Sequence, residues 1–152
     1  MIFVTLGTHH QPFHRLVQGL RALPGEELVV QHGHSPAPAA VREAHQFLSL
    51  PEMEVRLRAA DVVITHAGVG SILMARQLGH TPVVAPRQHH LGEHVDDHQA
   101  EITAELARTG KIVPLWDVGE LAAAVAAATR RGSARPPEEG PLHHAVRAAL
   151  RG

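Results

Sequence analysis

The segment from Asp61 to Gln99 contains two apolar runs, each followed by a loop of small and polar residues and then by a helix pattern. The first run, residues 62–65, leads directly into the turn His66-Ala-Gly-Val-Gly-Ser71. Glycines let such a turn approach a ligand closely, and the following helix directs unpaired N–H groups and a partial positive charge toward it. The segment therefore predicts a strand–loop–helix unit that binds an anion, which we interpret as a nucleotide diphosphate.

Strand and helix patterns alternate along the rest of the chain as well. Such alternation, with mostly apolar strands, is typical of a parallel sheet that is covered by helices on both faces. We therefore expect an α/β fold, a Rossmann-like parallel sheet with helices on both faces. The predicted strands are 2–6, 27–31, 47–48, 62–65, 82–85 and 112–115, and the predicted helices are 12–23, 51–60, 71–78, 94–109 and 118–130.

The chain of 152 residues has the length of a single domain with a real core, which we expect to occupy residues 1–130. Residues 131–141 are rich in Gly, Pro, Ser and charge, so they are predicted to be a linker. Residues 142–152 have an apolar stripe at helical spacing and are predicted to form a short C-terminal helix or tail.

Composition excludes several classes of protein. The net charge is −1 and no segment concentrates Lys or Arg, which argues against electrostatic binding of nucleic acid. The chain has no cysteine, so disulfides and thiolate chemistry are excluded. No apolar run approaches the roughly 20 residues that span a bilayer, and the N-terminus lacks a basic leader, so we expect a soluble, cytoplasmic protein.

The glycine turn allows two interpretations. In the first, Gly68 and Gly70 expose backbone N–H groups to a diphosphate, Ser71 adds a hydroxyl and His66 donates a hydrogen bond. In the second, the turn only connects a strand to a helix, and His66 caps it. The loop after the first strand, Gly7-Thr8-His9-His10, is expected at the same sheet edge, where it either contacts the ligand or is simply a polar loop.

Two further patterns have a functional and an ordinary interpretation. Asp96-Asp97-His98-Gln99 begins a predicted helix, where its polar groups either bind sugar hydroxyls or complement the helix dipole. His94 and His98 share a helical face, with His89 and His90 upstream, which is compatible with zinc ligation. However, His-Glu-x-x-His is absent and no carboxylate is an obvious third ligand, so we expect no metal site.

Several motifs together resemble the C-terminal, donor-binding domain of glycosyltransferase family 28. They are Thr65 to Ser71, the Pro82-Val-Val strand, and Gly92-Glu93-His94 leading to Asp97-His98-Gln99. The likeness is greatest to the split, two-subunit members: the eukaryotic UDP-N-acetylglucosamine transferase subunit and the bacterial exopolysaccharide or capsule subunits. The bacterial subset is indicated by Phe3-Val-Thr-Leu-Gly-Thr8, Pro12-Phe-x-Arg-Leu-Val17 and Gln31-His-Gly-His34, and the resemblance covers about residues 1–130.

The resemblance implies one half of a GT-B glycosyltransferase, which uses a UDP-sugar donor in an inverting displacement. The acceptor would be a polyprenyl-diphosphate-linked sugar, bound by a membrane-anchored partner that also supplies the catalytic base. The chain would then lie at the inner face of the membrane through that partner, with no covalently bound cofactor and with an open question of metal dependence. Thr8 and His9 are the nearest catalytic candidates within this chain. The implied donor-binding residues are Gly7, Thr8, His66, Gly68, Val69, Gly70, Ser71, Asp97, His98 and Gln99.

One position departs from the family pattern. Many members have a Glu that holds the ribose hydroxyls six residues after the first motif glycine, whereas this chain has Met74. We consider Gln77, one turn later, as a substitute. The departure, with the acceptor-binding half not in this chain, leaves open a non-catalytic nucleotide-sugar-binding module. The histidines leave open a third, less favoured class, a zinc hydrolase that uses His89, His90, His94 and His98.

Overall fold

A computed structural model describes residues 1–94 and 96–133, which form a six-stranded sheet with helices on both faces. All neighbouring strands pair in parallel, in the order β3-β2-β1-β4-β5-β6. The strands are β1 Ile2–Thr5, β2 Leu28–Gln31, β3 Glu43–His45, β4 Val62–His66, β5 Val83–Ala85 and β6 Val113–Pro114. The helices are α1 His14–Gly19, α2 Leu50–Ala59, α3 Val69–Gln77, α4 His98–Arg108 and α5 Leu121–Ser133. The predicted α/β fold is confirmed.

Both faces of the sheet are buried, as its apolar strands require. On one face, α1 and α5 cover a cluster that includes Val4, Leu16 and Leu121. On the other face, α2 and α3 pack on Phe3 and its neighbours, and α4 joins α3 around a smaller cluster. Among the described helices, none is both long enough and apolar enough to cross a lipid bilayer.

The order in which successive strands join the sheet reverses at β1. Strands β2 and β3 extend the sheet on one side of β1, and β4, β5 and β6 extend it on the other. Thr5, the last residue of β1, lies level with Gln31 and with Thr65 in these two pairings. After β1 the chain continues to α1 on one face of the sheet, and after β4 it continues to α3 on the other face. A crevice therefore opens between the two loops, at the carboxyl ends of these strands. Ligands of open α/β sheets bind in such crevices.

The third strand does not lie where the sequence pattern predicts it. Phe47 and Leu48 were expected to form it, but β3 is Glu43–His45, a partly exposed edge strand. Backbone bonds from Arg42 to Leu28 and from His32 to His45 hold β3 beside β2. The prediction from apolar character was wrong because tertiary pairing selects a polar edge strand there, while Phe47 is left 48% exposed.

Helix boundaries also differ from prediction: α1, expected over 12–23, spans His14–Gly19 and continues as a 3-10 helix to Ala22, and α4 and α5 begin later than expected. Helix α4 begins at His98 rather than at His94, because the Asp96 carboxylate accepts the His98 backbone N–H and ends the preceding loop. Helix α5 begins at Leu121, after a short 3-10 turn that Asp117 caps through the Gly119 N–H, and it continues to Ser133. It therefore includes the first three residues of the predicted linker. The remainder of that linker and the predicted C-terminal helix or tail lie outside the described residues.

Candidate functional site

A cavity of about 530 Å³ opens at the carboxyl ends of β1 and β4. One end is polar and is formed by the loop after β1, the turn after β4 and the start of α4. The other end is apolar and is formed by the segment before α2 and by one face of α3. Its lining residues are Thr5, Gly7, Thr8, His9, Gln31, Phe47, Leu48, Leu50, Met53, His66, Gly68, Gly70, Ser71, Met74 and Gln99.

The imidazole of His66 lies at the end of β4, held between two glycines. A Cβ at Gly7 would lie 2.4 Å from His66 Nε2, and a Cβ at Gly68 would lie 2.5 Å from His66 Cε1. Any side chain at either position would therefore displace the ring. Gly7 also has a φ of 74°, a left-handed conformation that favours glycine. Both glycines are thus required to admit the imidazole as well as to shape the loops.

Gln99 determines which nitrogen of His66 carries the proton. The Gln99 Oε1 accepts the backbone N–H of Arg87 at 3.0 Å, so its amide NH₂ must face the other way. That nitrogen, Nε2, lies 3.4 Å from His66 Nδ1. Because an amide NH₂ only donates, His66 Nδ1 is the acceptor. The proton of the neutral imidazole is therefore on Nε2, which makes Nε2 a hydrogen-bond donor.

His66 is also held in its neutral form. Burial lowers its pKa to about 3, and the positive charge of Arg87 and the imidazoles of His9 and His94 contribute in the same direction. At neutral pH the side chain therefore offers a fixed N–H dipole and no charge. A neutral N–H group of fixed orientation is suited to donate a hydrogen bond to an anionic oxygen. Because the ring stays neutral, it does not take up a proton from a ligand at neutral pH.

Arg87 lies buried behind this site and joins three loop segments. Its guanidinium donates to the carbonyls of Leu6, Gln11 and Glu93, at 3.0, 2.6 and 3.3 Å, and lies 4.8 Å from the centroid of the Phe13 ring. Burial lowers its pKa to about 10, which leaves it charged at neutral pH. Arg87 was not among the predicted site residues; its place two residues after a buried strand was the only signal in the sequence.

Glu93 supports the same loop from a second direction. Its carboxylate binds Arg15 through two nitrogens, at 3.1 and 3.2 Å, and also accepts the backbone N–H of Gln88 at 3.1 Å. Arg15 in turn donates to the carbonyl of Pro86 at 3.1 Å. This buried carboxylate therefore ties the loop between β5 and α4 to helix α1. In the sequence, only the family motif Gly92-Glu93-His94 marks Glu93.

The structure brings most of the predicted site residues together. Gly7, Thr8, His9, His66, Gly68, Gly70, Ser71 and Gln99 line the cavity. Val69, Asp97 and His98 do not line it and are exposed. Val69 borders a groove between α3 and α4, the Asp97 carboxylate accepts the His89 backbone N–H, and His98 lies 3.3 Å from Glu101. For these three residues, donor binding stays a prediction.

His9, which lines the cavity, stacks with two further histidines. The ring of His9 stacks on His10 and on His94, with centroids 4.6 and 4.5 Å apart, and His94 Nδ1 lies 3.3 Å from a carboxylate oxygen of Asp96. In residues 1–94 and 96–133, no three His, Asp or Glu side chains are arranged to share a metal ion. The zinc-hydrolase hypothesis therefore has no geometric support in this part of the chain.

Met74 and Gln77 differ in their relation to the cavity. Met74 is 4% exposed and contributes its side chain to the apolar end. Gln77 is buried but is not among the lining residues. The proposed substitution of Gln77 for the missing glutamate was therefore wrong, because one further helical turn carries the residue past the cavity.

This sheet, with a glycine-rich turn at the point where the strand order reverses, matches the C-terminal, Rossmann-like half of a GT-B glycosyltransferase. The model of the glycosyltransferase family 28 C-terminal domain matches residues 1–130, and the chain belongs to this family. The resemblance to the family 28 C-terminal domain is thereby confirmed. A search of the curated proteins gave no match.

Two solved structures have the same fold. The glycotransferase of kitacinnamycin is 25% identical over 97% of this chain and 39% of its own, with a TM-score of 0.61. The calicheamicin glycosyltransferase CalG4 is 20% identical over 99% of this chain and 38% of its own, with a TM-score of 0.56. The chain therefore spans about two fifths of the length of the structures that it matches.

Proposed function

We propose that the chain is the donor-binding, catalytic subunit of a two-component inverting glycosyltransferase. It transfers a sugar from a UDP-sugar to a polyprenyl-diphosphate-linked acceptor in exopolysaccharide or capsule synthesis. The observation that carries the proposal is the neutral His66 Nε2–H, held by Gln99 beside the N-terminus of α3. The UDP donor, the acceptor and the pathway come from the family resemblance.

The diphosphate of the donor binds between His66 and the first turn of α3. The N–H groups in the first turn of a helix have no intrahelical partner, and the helix dipole favours negative charge there. The Ser71 hydroxyl and His66 Nε2–H add two side-chain donors. As the bond between the anomeric carbon and the β-phosphate oxygen breaks, negative charge develops on the diphosphate. Donors that are already oriented stabilise that charge without reorganisation.

The acceptor hydroxyl attacks the anomeric carbon from the opposite side and gives its proton to a base. The geometry of His9 argues against it as that base. Its Nδ1 accepts the Gln11 backbone N–H at 3.1 Å, so the proton of the neutral ring is on Nε2. Burial, with smaller contributions from His94, Arg87 and His10, lowers its pKa and favours the neutral ring. Since a threonine hydroxyl such as that of Thr8 is a poor base, the proposal assigns the base to a partner subunit.

The partner also supplies the acceptor site. A GT-B enzyme has two Rossmann-like halves with the active site between them, and this chain corresponds to about two fifths of its structural neighbours. We propose that a membrane-anchored subunit provides the other half and recruits this chain to the inner face of the membrane. The cavity at the carboxyl edge of the sheet then becomes one wall of the active site.

Calorimetric titration of UDP and UDP-sugars, with and without Mg²⁺, tests the donor site. We expect saturable binding that His66→Ala weakens by about ten- to a hundredfold, the value of a hydrogen bond to a charged group. His90→Ala is the matched control, because His90 is exposed and lies outside the cavity. Absence of UDP binding, alone and with the partner, would refute the donor site.

A non-catalytic nucleotide-sugar-binding module is the second candidate, and Met74 in place of the usual glutamate favours it. Turnover of a radiolabelled UDP-sugar by the chain together with its membrane partner distinguishes the two. Product formation that His66→Ala lowers strongly and His90→Ala leaves unchanged would support the enzyme. UDP binding without turnover under the same conditions would support the module. Elemental analysis of tag-free protein tests the zinc-hydrolase alternative, which requires stoichiometric zinc.

A further inference from the structure

The cavity that we propose for the donor has no permanently charged side chain in its lining. Its lining residues include no lysine, arginine, aspartate or glutamate. The two histidines, His9 and His66, do not supply a charge either, because Nδ1 of each ring accepts a hydrogen bond and burial lowers the pKa of both. A UDP-sugar carries negative charge on both phosphates. Within the described part of the chain, a positive side-chain charge that acts on it therefore comes from behind the lining.

Arg87 supplies such a charge next to the polar end of the cavity. Its guanidinium donates to the carbonyl of Leu6, one residue before Gly7 of the lining, at 3.0 Å. Its backbone N–H binds the same Gln99 side chain that contacts His66. The charge of Arg87 also lowers the pKa of both lining imidazoles, so its effect reaches the two loops of the polar end.

This charge is not neutralised by a carboxylate. In the described part of the chain, the Arg87 guanidinium donates only to backbone carbonyls. The adjacent carboxylate, Glu93, is bound through two nitrogens by Arg15, so two positive charges and one negative charge leave this buried group with a net charge of +1. Asp96, the carboxylate that acts on His9, is 42% exposed, and solvent screens its charge.

A buried charge acts over a longer distance than an exposed one because protein screens it less than water does. Arg87 is 1% exposed and packs against the ring of Phe13. On the basis of the proposed donor site, we propose that Arg87 sets the preference of the cavity for more highly charged ligands, by holding its polar end at a positive potential without touching the ligand. The same charge stabilises the negative charge that develops on the diphosphate as the sugar leaves.

Calorimetric titration of the full chain with UDP and with UMP tests this preference. UDP has one more phosphate than UMP and therefore more negative charge, so the ratio of the two dissociation constants reports the response of the cavity to charge. Arg87→Met fills similar space without a charge, and we expect it to lower the preference for UDP by about three- to tenfold relative to wild type. An unchanged preference in the folded variant would overturn the inference.

A second variant separates charge from loop structure. Glu93→Gln keeps the shape of the side chain but removes the negative charge of the buried group. If Arg87 and Glu93 only hold the loops together, both variants should weaken binding in the same way. If charge decides, Glu93→Gln should raise the preference for UDP, by about two- to fivefold, although it lowers stability. A preference that does not rise would overturn the inference, and this measurement decides it if Arg87→Met does not fold.

Two exposed positions provide matched controls. Arg58→Met removes a positive charge on α2, where the side chain is 61% exposed, and Glu26→Gln removes an exposed negative charge before β2. Neither residue lines the cavity, so the preference should stay at the wild-type value. The outcomes also separate the inference from the proposed function. A preference that ignores the buried charges refutes only the inference, whereas failure of both nucleotides to bind the wild-type chain refutes the donor site and the inference with it.

Discussion

The side-chain amide nitrogen of Gln99 lies 3.4 Å from Nδ1 of His66, although 33 residues separate them in the chain. This contact links the first turn of α4 to the end of β4. Through it, a residue of the second motif controls the protonation of the first motif. The two motifs are therefore parts of one hydrogen-bonding arrangement, and a change in either should affect ligand binding through the other.

The tautomer of His66 can be measured by two-dimensional NMR of ¹⁵N-labelled protein. We expect the wild-type ring to be neutral with the proton on Nε2. Gln99→Met removes the donor to Nδ1, so a mixture of tautomers and several-fold weaker nucleotide binding are expected. Gln18→Met is the control, since Gln18 is exposed on α1. A pure Nε2–H signal in Gln99→Met would show that another group determines the tautomer.

Alanine at Gly7 should be more costly than alanine at Gly110. Both glycines have a left-handed φ, 74° and 73°, but a Cβ at Gly110 meets nothing within 4 Å, whereas at Gly7 it meets the His66 ring. The backbone strain is thus matched and only the clash differs. We expect Gly7→Ala to lower the free energy of unfolding by about 1–3 kcal/mol more than Gly110→Ala does. Equal denaturant midpoints would mean that the ring moves aside freely.

Replacement of the buried arginine should be destabilising. Arg87→Met fills similar space but leaves the carbonyls of Leu6, Gln11 and Glu93 without their donor. We expect a loss of about 2–4 kcal/mol in the free energy of unfolding, measured in urea. Arg58→Met, at an exposed position on α2, should leave that free energy nearly unchanged. Similar stability of the two variants would contradict the role given to Arg87.

Stability should fall on acidification because of His66. Its pKa is about 3 in the folded chain and near 6.5 when unfolded, so between these values only the unfolded chain binds the proton. The free energy of unfolding then decreases as the pH falls from 6.5 toward 3, by up to about 1.4 kcal/mol per pH unit. His66→Phe removes this contribution, and its stability should depend less on pH than that of the wild type or of His90→Ala. Parallel pH profiles would refute the assignment.

Much of the fold and the location of the site follow from local patterns. The apolar runs at 62–65 and 82–85 predict central strands because a strand buried on both faces must be apolar throughout. The turn from His66 to Ser71 predicts a ligand site because glycine permits close approach of a ligand and a helix N-terminus presents unpaired N–H groups in any sequence. The predicted position of the third strand was wrong. Strand β3 is polar and partly exposed, so its residues have no apolar pattern, and its position depends on pairing with β2.

By itself, therefore, the sequence determined the class of fold, the family and the edge of the sheet where the candidate site lies, because periodicity and turn chemistry are local properties. Only the tertiary structure decided the protonation of His66, the joining of three loops by Arg87 and the apolar character of one end of the cavity. These properties depend on burial and on contacts between segments far apart in the chain, such as α2 with α3. Burial and partner geometry exist only once the segments have packed together.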